Sequence, residues 1–463
     1  MMLLSEIAKA VNGQLRGEDV WVNSVDADSR SIEQGQLFVA IKGERFDGNT
    51  FAEEALVKGA AAVLVSDDNS RAQPSVVVTD TRQALGQLAA YWREKLAAPV
   101  IAITGSNGKT TTKEMLVEIL TSATSDADLI HATYGNLNND IGMPLTLLGA
   151  RPKHQYIVLE MGMNHLGEID YLTHIAKPNV AVINIAGTAH IGELGSRENI
   201  AKAKGEIYAG LGEHGIAIIN QDDAFEDYWK SLNSDRKIIS FAMHQQADVM
   251  AKATESTSGI QIKLTTPNGV VEAKLSVLGL HNVINALAAA ATAIALGVDN
   301  THIAKGLAFF QGVYGRLQPK LGINGATLID DTYNANPDSM KAALDVLKHL
   351  GGQTVFVMGD MGELGVNAAK LHSEIGAYAK KTGVQHLLAV GDLSQNAVNA
   401  FGSGGKHFTS IDLLVETLKP YMKSDLTVLV KGSRFMKMEK VVALLTTHHE
   451  TEKNKTAEKM PCC

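Results

Sequence analysis

Cysteine is almost missing from this sequence, because Cys462 and Cys463 are the only two among 463 residues. Two adjacent cysteines cannot build a disulfide framework, which favours a reducing compartment such as the cytoplasm. A terminal pair of cysteines also occurs in prenylation signals. Residues 451–463 consist mostly of charged and polar side chains, however, and we predict a disordered, solvated tail there.

Long apolar runs and a surplus of positive charge are also missing. The most apolar helix-like segment, residues 286–296, is mostly alanine and far shorter than the roughly 20 residues of a membrane span. The sequence has 42 Lys and Arg against 50 Asp and Glu, so no basic excess is available for nucleic-acid phosphates. No basic segment precedes the first apolar residues, which argues against a signal peptide. We expect a soluble, cytoplasmic monomer with no stable membrane insertion and no nucleic-acid partner.

Strand and helix patterns alternate along most of the chain and predict an α/β protein of three domains. We place them at residues 1–98, 99–312 and 313–450, called below the first, central and third blocks. Apolar runs predict central-block strands at residues 100–103, 156–160, 180–185 and 216–220, and third-block strands at 327–330, 354–358, 387–390 and 426–430. The central block therefore reads as a P-loop-type parallel-sheet domain and the third as a Rossmann-like, doubly wound domain. A hairpin at 259–278 and one long helix from His281 to near Gln311 complete the central block.

A phosphate-binding loop follows the first central strand, in the segment Thr-Gly-Ser-Asn-Gly-Lys-Thr-Thr at residues 104–111. Glycines let the backbone approach phosphates, Lys109 supplies a cation, and the Thr110 hydroxyl can reach Mg²⁺. Ile103 stands where the usual pattern has its first glycine. The expected nucleotide contacts are Gly105, Ser106, Asn107, Gly108, Lys109, Thr110 and Thr111. We expect ATP rather than GTP, because no Asn-Lys-x-Asp motif is present.

The run Gly-x-x-Gly-Lys-Thr-Thr, about a hundred residues into the chain, resembles the Mur ligase superfamily. These enzymes join amino acids or peptides to a carboxylate through an acyl-phosphate. The resemblance implies ATP and Mg²⁺ as cofactors, with Thr110, Glu160, His190 and Lys204 around the metal and Lys204 carbamylated. Each has a simpler alternative: Glu160 as a surface or capping residue, His190 as structural, and Lys204 as a plain lysine that pairs with phosphate or with Glu206.

Three further positions match the superfamily. Asn282, three residues before Asn285 at a helix start, would contact adenine, unless it merely caps the helix. Arg316 would reach the transferred phosphoryl group from the junction of two blocks. Asp331, at the end of a third-block strand, would contact the ATP ribose. The resemblance thus implies Lys109, His190, Lys204 and Arg316 as the catalytic set.

Within the superfamily, the resemblance is to members that add D-alanyl-D-alanine to UDP-N-acetylmuramoyl-tripeptide. Three segments carry this resemblance: the polar run 135–142, the Lys-Gly-Ser-Arg sequence at 431–434, and residues 331–336. The last segment lacks the Asn-Pro-Arg motif expected of the ligase that adds diaminopimelate. Loops 28–30 and 42–48 resemble nucleotide-sugar binding loops. We assign Ser29 and Arg30 to the UDP group and count Asn138, Asn139, Asn336 and Lys431 among the substrate contacts. The sequence does not reveal which residues bind D-alanyl-D-alanine, and the candidates are Asn336, Lys431 and Arg434.

Alternatives remain open at this point. The nearest is another Mur-type amide ligase, which adds the third residue or forms polyglutamate. A P-loop switch or motor ATPase would instead bind a macromolecule and release ADP and phosphate. A pseudoenzyme would be expected to lack Lys109 or Glu160, and both are present.

Overall fold

The first block contains two β-sheets. The structure is a computed structural model, and it describes residues 1–43, 46–68 and 70–447. Strands β1 and β3 pair antiparallel, and a five-stranded sheet runs in the order β2-β7-β6-β5-β4. The strands are β1 (Met2–Leu3), β2 (Gln14–Arg16), β3 (Trp21–Val22), β4 (Ser24–Asp26), β5 (Gln36–Val39), β6 (Ala62–Val65) and β7 (Ser75–Val77). The helices are α1 (Leu4–Ala10), α2 (Ala52–Val57) and α3 (Thr81–Arg93).

A nine-stranded sheet forms the central block, in the order β16-β15-β14-β13-β12-β11-β8-β10-β9. All its pairs are parallel except those of the hairpin strands β15 and β16. The strands are β8 (Val100–Thr104), β9 (Ile130–Ala132), β10 (Tyr156–Glu160), β11 (Val180–Ile183), β12 (Ile216–Asn220), β13 (Lys237–Ala242), β14 (Val249–Ser256), β15 (Gly259–Thr266) and β16 (Gly269–Leu275). The helices are α4 (Lys109–Thr124), α5 (Gly142–Gly149), α6 (Glu168–Ala176), α7 (Ile191–Leu194), α8 (Arg197–Gly205), α9 (Glu226–Ser231), α10 (His281–Ala295) and α11 (Asn300–Phe309).

The third block is a six-stranded sheet in the order β17-β18-β22-β19-β20-β21, and β17 is its antiparallel edge strand. The strands are β17 (Gln318–Leu321), β18 (Thr327–Asp331), β19 (Gln353–Gly359), β20 (His386–Val390), β21 (Gly405–Phe408) and β22 (Leu426–Lys431). The helices are α12 (Pro337–Leu350), α13 (Ala368–Lys381), α14 (Gln395–Phe401), α15 (Ile411–Leu418) and α16 (Glu439–Leu445). Short 3-10 turns lie at Gly48–Phe51, Ala127–Leu129, Glu206–Gly210, Ile323–Gly325, Gly365–Asn367, Lys419–Tyr421 and Arg434–Met436.

The predicted α/β class and three-part architecture are confirmed, while the block boundaries stay predictions. The prediction of one long helix from His281 to near Gln311 is wrong, because the chain forms the two helices α10 and α11 there. Gly297 adopts a left-handed φ of 80° just past α10, a conformation that ends helices. The Asp299 carboxylate then accepts the Thr301 and His302 N–H groups at 2.9 and 3.0 Å and caps the next helix.

Apolar packing joins the first block firmly to the central one. One buried cluster contains Leu88 of α3 together with Leu147 of α5 and Leu172 of α6. The Trp92 indole also donates to the Ala150 carbonyl at 3.0 Å. No helix in the described part of the chain is long and apolar enough to cross a membrane. The predicted tail 451–463, with its two cysteines, lies outside the described residues.

Helix α11 packs so closely on α4 that Gly306 has no room for a side chain. A Cβ at this position would collide with the backbone of Ile119 and Glu118. Alanine normally stabilises a helix by about 1 kcal/mol relative to glycine. Here we expect Gly306→Ala to lower Tm by a few degrees, because overpacking costs about 1–3 kcal/mol. Scanning fluorimetry measures this shift.

Gly212→Ala is the matched control, since Gly212 is exposed and a Cβ there would meet no atom within 4 Å. Its Tm should equal that of the parent chain. An unchanged or higher Tm for Gly306→Ala would contradict the close packing of α11 on α4.

Candidate active site

The predicted phosphate loop connects β8 to α4. Thr104, the last residue of β8, donates its hydroxyl to the Met161 carbonyl at 2.8 Å. Gly108 has a left-handed φ of 79°, and a Cβ there would collide with the side chains of Asn285 and Asn184. Glycine is therefore required at this position for both conformation and space. Lys109 opens α4 and donates its ammonium to the Gly105 carbonyl at 2.8 Å.

A cavity of about 880 Å³ opens beside this loop, between the carboxyl ends of the central strands and the third block. A parallel sheet usually binds ligands at this edge. The predicted site residues that line it are Ser106, Asn107, Gly108, Lys109, Thr111, Asn138, Asn139, Glu160, His190, Asn282, Arg316, Asp331, Asn336 and Lys431. Gly105, Thr110 and Lys204 lie outside this lining. The structure thus gathers most of the predicted site around one cavity.

The Thr110 hydroxyl connects two of the blocks. It donates to Glu160 Oε2 at 2.8 Å and accepts from Arg316 Nη2 at 2.9 Å. Asn138 Nδ2 donates to the other carboxylate oxygen of Glu160 at 2.8 Å. Glu160 is only 2% exposed, so the surface or helix-capping alternative for it is wrong. The Arg316 guanidinium also lies 4.5 Å from the centroid of the Tyr333 ring.

Burial lowers the pKa values of two lysines of the site. Burial lowers the pKa of Lys109, an effect that the Glu160 carboxylate opposes. Burial lowers the pKa of Lys204 well below its ordinary range, and the positive charge of Lys109 lowers it further. Lys204 is 1% exposed. Glu206 accepts instead from the Gly167 and Asp170 N–H groups at 2.8 and 3.1 Å, so the predicted alternative of a Lys204–Glu206 pair is not formed.

A chain of buried amides runs from α10 to the phosphate loop. Asn285 donates to Asn282 Oδ1 at 2.8 Å, and Asn184 donates to Asn285 Oδ1 at 2.6 Å and to the Asn107 carbonyl at 3.2 Å. Asn282 itself donates to the Leu278 carbonyl at 2.8 Å and makes no cap hydrogen bond. Sequence reasoning missed Asn184, although its place just after β11 was a usable signal.

The third block contacts the central block through polar side chains. Asn336 caps α12 and also donates to Asn107 Oδ1 at 2.8 Å. The His190 Nδ1 atom lies 2.8 Å from Glu363 Oε2, and this contact holds the pKa of Glu363 below its usual value. His190 and Glu363 both have left-handed φ angles, of 63° and 61°. Glu363 was also missed, because it lies in a loop with no strand or helix pattern.

Asp338 makes two further contacts between these blocks, and sequence reasoning missed it as well. Its carboxylate accepts the N–H and the hydroxyl of Thr188 at 2.7 and 2.8 Å. Thr188 precedes His190 by two residues, so this pair attaches the His190 loop to α12.

An ion pair lies at the carboxyl ends of the third-block strands. Lys431 Nζ is 2.7 Å from Asp331 Oδ2 and donates to the Asn334 carbonyl at 2.9 Å. The Leu317 N–H donates to Asp331 Oδ1 at 3.1 Å. Asp331 is thus oriented beside Arg316, the residue that precedes Leu317.

Ser29 and Arg30 do not line the cavity. They follow β4, where the Arg30 guanidinium pairs with Asp28 at 2.7 Å. The first block instead contributes Arg82, which forms an ion pair with Asp140 and was not predicted. Glu44 and Arg45 of the predicted loop 42–48 lie outside the described residues.

Within residues 1–43, 46–68 and 70–447, no three His, Cys, Asp or Glu side chains cluster closely enough to hold a metal ion by themselves. The Glu160 carboxylate lies beside the phosphate loop, where it accepts the Thr110 hydroxyl.

Family models match three consecutive segments of the chain. The Mur ligase family catalytic domain matches residues 22–93, the Mur ligase middle domain residues 103–293, and the Mur ligase glutamate ligase domain residues 315–434. The chain belongs to the Mur ligase family. The family membership expected from the phosphate loop is confirmed.

Similar proteins extend the match over almost the whole chain of this Mur ligase. It is 42% identical to the UDP-N-acetylmuramoyl-tripeptide–D-alanyl-D-alanine ligase of Escherichia coli strain K12, over 96% of this chain and 98% of that protein. The enzyme of the same name from Bacillus subtilis strain 168 is 36% identical, over 95% and 97%.

Two solved structures agree with this. A crystal structure of MurF from Acinetobacter baumannii superposes with a TM-score of 0.87 at 40% identity, over 95% of this chain and 97% of that one. MurF from Thermotoga maritima, in complex with ADP, gives a TM-score of 0.80 at 27% identity, over 91% and 97%.

The amide chain predicts a specific loss of nucleotide affinity in this Mur ligase. Asn184→Ala removes the donor to Asn285 and to the Asn107 carbonyl, and each unsatisfied buried group costs about 1–3 kcal/mol. We expect ADP affinity to fall at least about ten-fold, as measured by isothermal titration calorimetry.

Asn233→Ala is the control, because Asn233 is also a buried amide and donates to the Trp229 carbonyl at 2.9 Å. It should lower Tm and leave ADP affinity unchanged. Equal ADP affinities for the parent and Asn184→Ala would show that the amide chain has no part in nucleotide binding.

Proposed function

We propose that this Mur ligase couples ATP hydrolysis to the addition of D-alanyl-D-alanine to UDP-N-acetylmuramoyl-tripeptide. The observation that carries the chemistry is the position of the Thr110 hydroxyl, which is hydrogen-bonded to Glu160 of the central block and to Arg316 at the start of the third block. The choice of substrates rests on two relatives named for that activity, at 42% and 36% identity over nearly their full lengths.

ATP is the nucleotide that this site would take. The free N–H groups at the start of α4 attract the phosphates, and Lys109 adds a cation there. Asn282 would face the adenine, and Asp331 the ribose. The related MurF from Thermotoga maritima was solved with ADP, which supports a nucleotide in this place.

The donor set around Thr110 suits Mg²⁺. Mg²⁺ prefers oxygen ligands, and protein sites usually supply only one or two carboxylates while phosphates and water complete the shell. Thr110 and Glu160 supply a hydroxyl and a carboxylate whose oxygens lie 2.8 Å apart beside the phosphate loop. His190 and a carbamylated Lys204 would add a second position. When bound, the ion would neutralise charge on the transferring phosphoryl group.

The reaction must first activate a carboxylate, since oxide is a very poor leaving group. The substrate carboxylate attacks the γ-phosphorus of ATP, and an acyl-phosphate and ADP form. Lys109 and Arg316 stabilise the negative charge that spreads over the phosphoryl oxygens. The amine of D-alanyl-D-alanine then attacks the acyl carbon, phosphate leaves, and the nitrogen loses a proton as the amide forms.

Contact between the central and third blocks protects this intermediate. Asn336, Asp338 and Glu363 each contact the central block. They hold the third block over the cavity and limit the access of water, which would hydrolyse an acyl-phosphate. Separation of the blocks would then admit substrates and release products.

Lys204 has the properties of a lysine that becomes carbamylated. A lowered pKa increases the neutral amine, which is the form that adds to CO₂. Among the described residues, no carboxylate lies within 4.0 Å of its ammonium. Carbamylation would make the Lys204 side chain negatively charged, so that the Lys109 ammonium would attract it rather than repel it.

The remaining assignments complete the proposal. Ser29 and Arg30 would contact the UDP group, Asn138 and Asn139 the acceptor, and Asn336 and Lys431 the dipeptide. The blocks at 1–98, 99–312 and 313–450 would be the three domains of a cytoplasmic monomer.

Phosphate release tests the function directly. We expect rapid release from ATP only when UDP-N-acetylmuramoyl-tripeptide and D-alanyl-D-alanine are both present, together with a product that carries the added dipeptide by mass spectrometry. Turnover without either substrate would indicate another P-loop ATPase. Dependence on a UDP-sugar acid with a different amine would indicate another step of the family.

Lys204→Arg tests the carbamate. Arginine keeps the positive charge and cannot form a stable carbamate, so we expect kcat to fall by about 10²-fold or more, in proportion to a lost transition-state interaction of a few kcal/mol. With ¹³C-bicarbonate, the parent chain should show a carbamate carbon in its NMR spectrum. The Lys202→Arg control should keep full activity, since Lys202 is exposed; a parent spectrum without that signal would refute the modification.

A further inference from the structure

Lys113 is a buried cation to which the proposed chemistry assigns no role. It lies on α4, four residues after Lys109, and is only 1% exposed. Burying an ammonium is expensive unless its donors are bonded. Its Nζ lies 2.9 Å from Glu114 Oε1 and donates to the Thr133 carbonyl. The second of these contacts leads toward the active site.

Thr133 lies where β9 ends and the chain turns away from the sheet. Its N–H donates to the Val158 carbonyl at 2.9 Å, and its hydroxyl accepts the Glu160 N–H at the same distance. Thr133 is 1% exposed. At the end of β10, where Glu160 faces the cavity, the Thr133 hydroxyl therefore takes the place of a backbone carbonyl as the acceptor for the Glu160 N–H.

The segment after Thr133 returns to the same carboxylate. The side-chain amide of Asn138 donates to Glu160 Oε1 at 2.8 Å, and the backbone carbonyl of Asn138 accepts the Gly162 N–H at 2.8 Å. The start of this segment is held by the Lys113–Thr133 bond and its end by Asn138. Both ends thus fix Glu160 relative to Thr110, which lies on the same helix as Lys113.

We propose that Lys113 is a positioning residue that, through Thr133, fixes the Glu160 carboxylate for a divalent cation beside the phosphate loop. The proposal rests on the metal role of Glu160 in the proposed function. Lys113 joins the helix that carries Thr110 to the strand ends that carry Glu160. Partners that orient a metal ligand are commonly worth about 10–100-fold in metal affinity, so loss of this one should be visible in metal binding alone.

The test measures ADP binding to the full chain by isothermal titration calorimetry, without metal and across a Mg²⁺ titration. Lys113→Met removes the ammonium and keeps a similar length. We expect its ADP affinity without Mg²⁺ to match that of the parent, because the phosphate loop is untouched. The Mg²⁺ concentration for half-maximal enhancement should rise at least about ten-fold. Lys113→Arg, which keeps a donor to Thr133, should recover part of the loss.

A purely structural role would give a different result. Lys113→Met would then lower Tm and keep the Mg²⁺ response of the parent, and that outcome would overturn the proposal. Thr173→Val is the matched control for a buried polar group, since Thr173 is fully buried and its hydroxyl donates to the Ile207 carbonyl at 2.8 Å. It should lower Tm with no change in the Mg²⁺ response.

Two further variants keep the test decisive. If Lys113→Met does not fold, Thr133→Val tests the next link, because it removes the hydroxyl that accepts the Glu160 N–H with little change of volume. A parent-like Mg²⁺ response from Thr133→Val would equally overturn the proposal. In a chain that carries both changes, the losses should be less than additive, as expected for residues in one network. Glu160→Gln separates the premise from the proposal: if its Mg²⁺ response matches that of the parent, the metal role of Glu160 itself fails.

Discussion

The hydrogen bonds of one hydroxyl, on Thr110, set the geometry on which the rest of the site depends. This group bonds Glu160 at the end of β10 and Arg316 at the start of the third block, at 2.8 and 2.9 Å. It can do so only because Lys109 begins a helix directly after a loop that requires Gly108 in a left-handed conformation. A single helix start thereby brings an anion, a cation and the phosphate loop together.

Electrostatics also show why phosphate groups would suit this site. Lys109 and Arg316 both act on the same small volume, and Lys109 also lowers the pKa of the buried Lys204. Bringing ATP into the cavity would relieve the repulsion between these cations, since phosphate charges would lie among them.

Local sequence patterns predicted the parts of the site that lie on one element or follow directly from one. Apolar runs located β8, β10 and β18, and so located the phosphate loop, Glu160 and Asp331 at their ends. They did not predict Asn184, Asp338 or Glu363, because these residues act only through partners distant in sequence; Thr188 and Asp338 are 150 residues apart. The helix predicted from His281 to near Gln311 is also divided, because Gly297 has a left-handed φ between α10 and α11. Patterns report which face of an element is buried, and not which polar groups meet across blocks.

The three blocks are joined by different forces, and this difference determines which of them can move. The first and central blocks share one continuous apolar cluster, and separating them would expose that surface to water. In the described part of the chain, the third block's main apolar cluster takes only Leu278 and Ile191 from the central block. Hydrogen bonds and the His190–Glu363 pair supply polar contacts between the two blocks as well, and water can replace these. The apolar interface therefore holds the first block firmly against the central block and its phosphate loop, while the polar interface of the third block can be broken at a smaller cost in free energy.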